Sequence, residues 1–118
     1  MDYKRIYNDI MHMDPKIRLV TICDNNGQIM SSVHREGVQN LLSQEESRKS
    51  LELALNSWRI RSELAPKIGK GKYVLAVYEK IKRITMPLDD KHLLYVTTEV
   101  ECDHSALIDR IQKLEYIF

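Results

Sequence analysis

A chain of 118 residues with 43% hydrophobic and 30% charged positions has the balance of a soluble globular protein, long enough for one core and too short for two. Its formal net charge of +1 removes any global case for polyanion binding and leaves only local patches to consider. No stretch approaches the roughly 18 apolar residues that cross a bilayer, the N-terminus lacks a signal-peptide core, and two cysteines are too few for a disulfide framework. A cytoplasmic protein is expected.

Taken in chain order, Tyr3, Ile6, Tyr7, Ile10 and Met11 recur at helical spacing, with Asp2 placed to cap the start and Asp14-Pro15 to stop the segment. Two β-prone runs follow, Ile17 to Cys23 and Gln28 to Val33. The intervening Asp24-Asn-Asn-Gly27 brings Asn26-Gly27, which tolerate positive φ, so the pair reads as a hairpin. After the polar His34-Arg-Glu-Gly37, Ser43-Gln-Glu-Glu46 forms a capping box that opens a long helix ending near Ala65-Pro66. Leu51, Ala54, Leu55, Trp58, Ser62 and Ala65 line one stripe of that helix. Leu53, Ile60 and Leu64 widen the apolar surface beyond what one sheet face needs, and a second partner is implied.

The turn-rich Ile68-Gly-Lys-Gly-Lys72 leads into Tyr73-Val-Leu-Ala-Val-Tyr78, the apolar heart of a strand expected over Lys72 to Glu79. Free of proline and internal charge, it is a run that must be buried or paired by another chain. Further strands are predicted over Ile81 to Met86 and Lys91 to Val100. The last carries His92, Leu94, Val96 and Val100 on one face and Leu93 and Tyr95 on the other, as a central strand does. Asp103 then caps a terminal helix with Leu107, Ile108, Ile111 and Leu114 in one stripe. The expected fold is α/β of the α+β kind, a three-layer sandwich with a five-stranded antiparallel sheet in the order α-β-β-α-β-β-β-α, in a single domain over residues 1–118.

That order, over nearly the whole chain, resembles the Roadblock, dynein light-chain-like domains, which are GTPase-associated relatives of the profilin and longin folds. The wording Lys70-Gly-Lys-Tyr-Val-Leu75 and Ile84-Thr-Met-Pro-Leu-Asp-Asp90 is also similar to a group of uncharacterised small archaeal proteins. The Roadblock resemblance implies that the strand after the long helix lies at a sheet edge and pairs with its copy in a second subunit, while the two long helices pack side by side. It places the dimer interface at Tyr73, Val74, Leu75, Ala76, Val77 and Tyr78, with Leu53, Ile60 and Leu64 from the helix. Small Ras-like GTPases are the partners it implies.

The candidate chemistry is sparse. Lys67, Lys70, Lys72, Lys80, Lys82 and Arg83 stand against one acid, Glu79, and form a patch that could meet phosphates, an anionic membrane or an acidic protein. Equally, such lysines guard a strand edge against aggregation. Lys70, Lys72, Lys80, Lys82 and Arg83 are the candidate partner-binding residues. The last three are expected to be exposed, so that glutamine at all three changes folding by no more than about 0.5 kcal/mol. Gly69-Lys-Gly-Lys72 lacks the strand before and the helix after that a phosphate loop needs. The patch also lacks the interleaved aromatics of a single-strand nucleic-acid platform, so nucleic acid is disfavoured.

Cys102-Asp103-His104 lacks further ligands at metal spacing, and the aspartate already has a capping task. Cys23 and Cys102 fall at opposite ends of the sheet, as free thiols. His34-Arg35-Glu36 reads as a solvated loop, and Met11, Met13, Met30 and Met86 as core filler. Trp58 fits a core or an interface. No catalytic residue, cofactor or metal is expected, and the leading reading is a non-enzymatic, homodimerising interaction module. The alternatives are a PAS-like or profilin-like small-ligand sensor, with a cavity lined by Trp58, Tyr95 and the loop at His34, and a weak polyanion binder working through residues 67–83.

Overall fold

The structure, a computed structural model, describes residues 1–114. Three helices and five strands follow one another as α1 (Tyr3–Met11), β1 (Ile17–Asp24), β2 (Ile29–His34), α2 (Gln44–Ile68), β3 (Val74–Val77), β4 (Ile81–Pro87), β5 (His92–Glu99) and α3 (His104–Gln112). The strands form one antiparallel sheet in the order β2-β1-β5-β4-β3, so β5 is central and β3 is an edge, as the sequence predicts. Alternation along each strand sends side chains to two faces. Val20, Ile22, Ile84, Met86, Leu94 and Val96 pack under Ile6 and Ile10 of α1 and Leu107, Ile108 and Ile111 of α3. On the other face Cys23, Leu93 and Tyr95 pack under Leu51, Leu55 and Trp58 of α2. The result is the expected three-layer sandwich.

The caps form as predicted. Asp2 accepts from the Arg5 amide and Asp103 from the Ala106 amide, both at 3.1 Å. Ser43 and Glu46 make the reciprocal capping box at 3.1 and 2.9 Å. The Ser43 amide holds the Glu46 carboxyl below its ordinary range. In the β1–β2 turn Gly27 alone takes positive φ, at 86°, while Asn26 does not; the Asp24 carboxylate instead braces the turn by accepting from the amides of Asn26 and Gln28.

Several expectations shift. The helix predicted to end near Pro66 runs to Ile68: proline lacks a donor, but the Gly69 amide still closes the last turn onto Ala65 at 2.8 Å. The edge strand expected over Lys72 to Glu79 is four residues long, since β4 offers partners only from Thr85 to Lys82. Met30 is exposed on β2 rather than core filler; it lies on the outermost strand. The predicted loop arginine Arg35 is a structural tie: its guanidinium donates to the carbonyls of Ile17, Met11 and Asp14 at 2.6 to 2.8 Å and joins the end of β2 to the end of α1.

Trp58 is a core residue, 8% exposed, and its Nε1 donates to Thr85 Oγ1 at 2.8 Å. The chain between α2 and β3 crosses the indole so closely that a Cβ at Gly71 would stand 2.7 Å from Trp58 Cζ3. Gly71→Ala therefore forces the ring or the chain aside, and urea unfolding is expected to show a loss of about 1–3 kcal/mol.

Candidate functional site

Two surfaces compete for attention, the β3 side of the sandwich and a groove beneath the start of α2. At the first, the register Ala76 to Arg83 and the bond from the Tyr78 amide to the Ile81 carbonyl put Val74, Ala76 and Tyr78 in hydrogen-bonded pairs with β4. The N–H and C=O groups of Leu75 and Val77 consequently face the open edge. Leu75 packs its side chain onto the main core, Val74 onto the α2 side, and Tyr73, Val77 and Tyr78 are exposed.

Above that edge runs α2. At about 100° per residue, Leu53, Ile60 and Leu64 fall roughly half a turn from Leu51, Leu55 and Trp58, and they are 63%, 57% and 48% exposed. The stripe is an outward apolar ridge, joined near its end by Ile68. The helix flank between the ridge and the sheet carries the small Ser50, Ala54, Ser57 and Ala65, interrupted by Arg61, which folds over the Trp58 ring at 5.5 Å.

The basic segment does not form one patch, contrary to expectation. Neighbouring strand residues point to opposite faces, and Lys82 and Arg83 are neighbours in β4. Lys82 turns toward α3, with Nζ donating to the Cys102 carbonyl at 2.9 Å and lying 3.0 Å from His104 Nδ1. Arg83 turns under α2, where it donates to Ser50 Oγ at 2.8 Å and lies over the Tyr95 ring at 4.8 Å and the Tyr78 ring at 5.6 Å. Both are half-buried and hydrogen-bonded rather than exposed, so glutamine at these positions is expected to destabilise the fold. Lys67, Lys70, Lys72 and Lys80 are exposed.

At the other end of β5, His92 Nε2 lies 3.1 Å from Tyr3 Oη, and its Nδ1 faces Asp89 at 3.0 Å. Burial pushes the Asp89 carboxyl up, but the Lys91 amide and the His92 contact overcome it and hold the group below the usual range. The relay ties α1 to the β4–β5 turn. Cys23 and Cys102 are buried and free, in different cores. Burial, seconded by Asp24, pushes the Cys23 thiol up to about 11, and burial with Asp14 also raises Cys102. Ellman's reagent is therefore expected to titrate both thiols only after denaturation, and prompt reaction of the folded protein would show that one core opens.

The groove lies between the sheet and the segment that enters α2. Arg18, Thr21, His34, Leu41, Arg83 and Tyr95 are among its lining residues, and its volume is about 750 Å³. Of the expected trio it brings together Tyr95 and His34; Trp58 lies deeper under α2 and lines a different cleft. Sequence reasoning passed over Leu41 and Leu42, whose apolar character in an otherwise polar connection was a signal that this segment lies over the sheet. It also passed over the junction of Arg83 with Ser50.

No family profile and no curated protein sequence matches the chain. Solved structures do. A Roadblock/LC7 domain from Streptomyces avermitilis superposes with a TM-score of 0.72 at 12% identity, covering 95% of this chain and 90% of its own. Myxococcus xanthus MglB gives 0.71 at 18% identity, over 96% and 90% of the two chains. A structure described as MglB with tetrameric arrangement gives 0.74 at 10% identity, over 93% and 79%. Superposing on these structures along nearly its whole length, the chain has the Roadblock/LC7 fold.

Proposed function

We propose that residues 1–118 act as one Roadblock-like domain, a non-enzymatic module that homodimerises and regulates or scaffolds a small Ras-like GTPase in the cytoplasm. The observation that carries this reading is the conjunction of a β3 edge unpaired among the described residues with the outward apolar ridge of α2. Pairing Leu75 and Val77 with a second β3 satisfies their free backbone groups and extends the sheet across a twofold axis. The partner's α2 then lies alongside the flank of Ser50, Ala54 and Ser57, with Leu53, Ile60 and Leu64 along the seam and on the surface that the pair presents.

The existence of a tetrameric arrangement of MglB supports association through this fold. In the dimer Lys70, Lys72 and Lys80 flank the seam and offer positive charge to an acidic partner surface. A polyanion-binding role is disfavoured by the turning of Lys82 and Arg83 to opposite faces.

Light scattering at micromolar concentration is expected to give twice the 13.9 kDa chain mass. Surface-immobilised protein is expected to capture a Ras-like GTPase in one nucleotide state more than the other, with affinity that falls as salt rises. A monomer at high concentration rules out the dimer. Indifference of every tested GTPase, in either nucleotide state, removes the GTPase assignment while leaving the dimer standing.

A further inference from the structure

The groove beneath the start of α2 is built unlike the rest of the core. Among the sheet residues that line its floor, hydroxyls stand beside Leu19, Ile29 and Ile81: Thr21 bonds Ser32 at 2.9 Å, and Tyr95 Oη bonds Ser50 Oγ of α2 at 2.8 Å. Its roof combines Val38, Leu41, Leu42 and Leu51 with polar side chains at the start of α2, Glu45 and Arg48 among them. The volume of about 750 Å³ lies within the roughly 300–1,000 Å³ of small-molecule sites.

Arg83 is the group that asks for a ligand. Its guanidinium is half-buried and oriented by Ser50 Oγ, by Thr97 Oγ1 at 3.4 Å and by the face of Tyr95. Among the described residues no carboxylate pairs with it, and its Nη2 makes no hydrogen bond to any of them. Arg18, on the same lining, is already neutralised by Glu99 at 2.6 Å. A fixed, partly desolvated guanidinium with free donors is matched by a planar oxyanion.

We propose that this groove binds a small organic anion with an apolar body, its anionic head on the free edge of Arg83 and its body between the hydroxyl floor and the Leu41–Leu42 roof. A groove of this volume with one fixed guanidinium suits a small molecule rather than a protein segment. Every residue named in the site belongs to one chain. Its anchor nevertheless touches Tyr78, next to the β3 edge, so occupancy reaches the strand through which association is proposed.

Amide NMR of the native chain titrated with naphthalenesulfonate tests this directly, with neutral naphthalenemethanol as the comparison. Saturable shifts are expected at Thr21, Ser32, Tyr95 and Thr97. Affinity is expected to fall about tenfold for the alcohol and for Arg83→Gln, the equivalent of one charge-assisted hydrogen bond. Since Arg83→Gln removes structural bonds as well, Ser32→Phe serves as a second variant: it fills the groove from the exposed strand β2 and is expected to abolish the shifts in a folded protein. Absence of binding, equal affinity for sulfonate and alcohol, shifts centred on Leu53 to Leu64, or binding retained by Ser32→Phe would each overturn the proposal.

Discussion

Trp58→Ala is expected to cost about 3–5 kcal/mol, a large part of the roughly 5–15 kcal/mol available to a domain of this size. The indole is the keystone of the smaller core. It sits between Leu51 and Leu55 on its own helix and Leu93 and Tyr95 on β5. Gly71 presses against its edge, Arg61 covers its face at 5.5 Å, and its Nε1 is committed to Thr85. No neighbour can collapse into the space without moving α2 off the sheet, so both the transfer and the cavity contributions are expected in full. Trp58→Phe separates the terms: most of the volume stays, the Thr85 hydroxyl loses its donor, and a loss of about 1–3 kcal/mol is expected. Urea unfolding followed by circular dichroism measures both variants without relying on the fluorophore that the substitutions remove. A loss below about 1 kcal/mol for alanine would mean that α2 is held chiefly by its outer ridge.

The architecture was readable because each element advertises its period. Ile6 and Ile10, Leu51 with Leu55 and Trp58, and Leu107 with Ile111 repeat at helical spacing and are the residues found buried. Leu93, Leu94, Tyr95 and Val96, apolar on both faces, marked the central strand. The exposure of Leu53, Ile60 and Leu64 follows from the same wheel, because a helix lying on a sheet can bury only one side.

What the sequence concealed lies where pattern gives way to geometry. Arg35 looked like a charged loop residue, and only folding brings three carbonyls around its guanidinium from a helix end and a strand start. Lys82 and Arg83 looked like one patch because charge was counted along the chain; strand alternation, already implied by the predicted β4, separates them to opposite faces. The groove was the least legible feature. It depends on how far the 37–43 connection reaches back over β1 and β2, a matter of chain path with no period to read.

Val77→Pro is expected to halve the mass of the assembly while the fold survives. The Val77 amide faces the open edge, so proline there removes a donor that only a second chain could use and leaves the bonds from β3 to β4 in place. Its side chain is 62% exposed and fills no core. Ala76→Pro is the necessary contrast, one residue away. The Ala76 amide faces β4 opposite Arg83, so the same substitution breaks the internal ladder and is expected to cost about 1–3 kcal/mol of intrinsic stability for the unpaired carbonyl it leaves behind. Light scattering beside thermal unfolding separates the cases. For Val77→Pro the expected outcome is a monomer with unchanged far-ultraviolet dichroism and a cooperative transition, lowered only as far as the lost association requires. Should the unmodified protein and Val77→Pro both show twice the chain mass, β3 is not the seam, and the ridge of Leu53, Ile60 and Leu64 is left to hold the two copies together without joining their sheets.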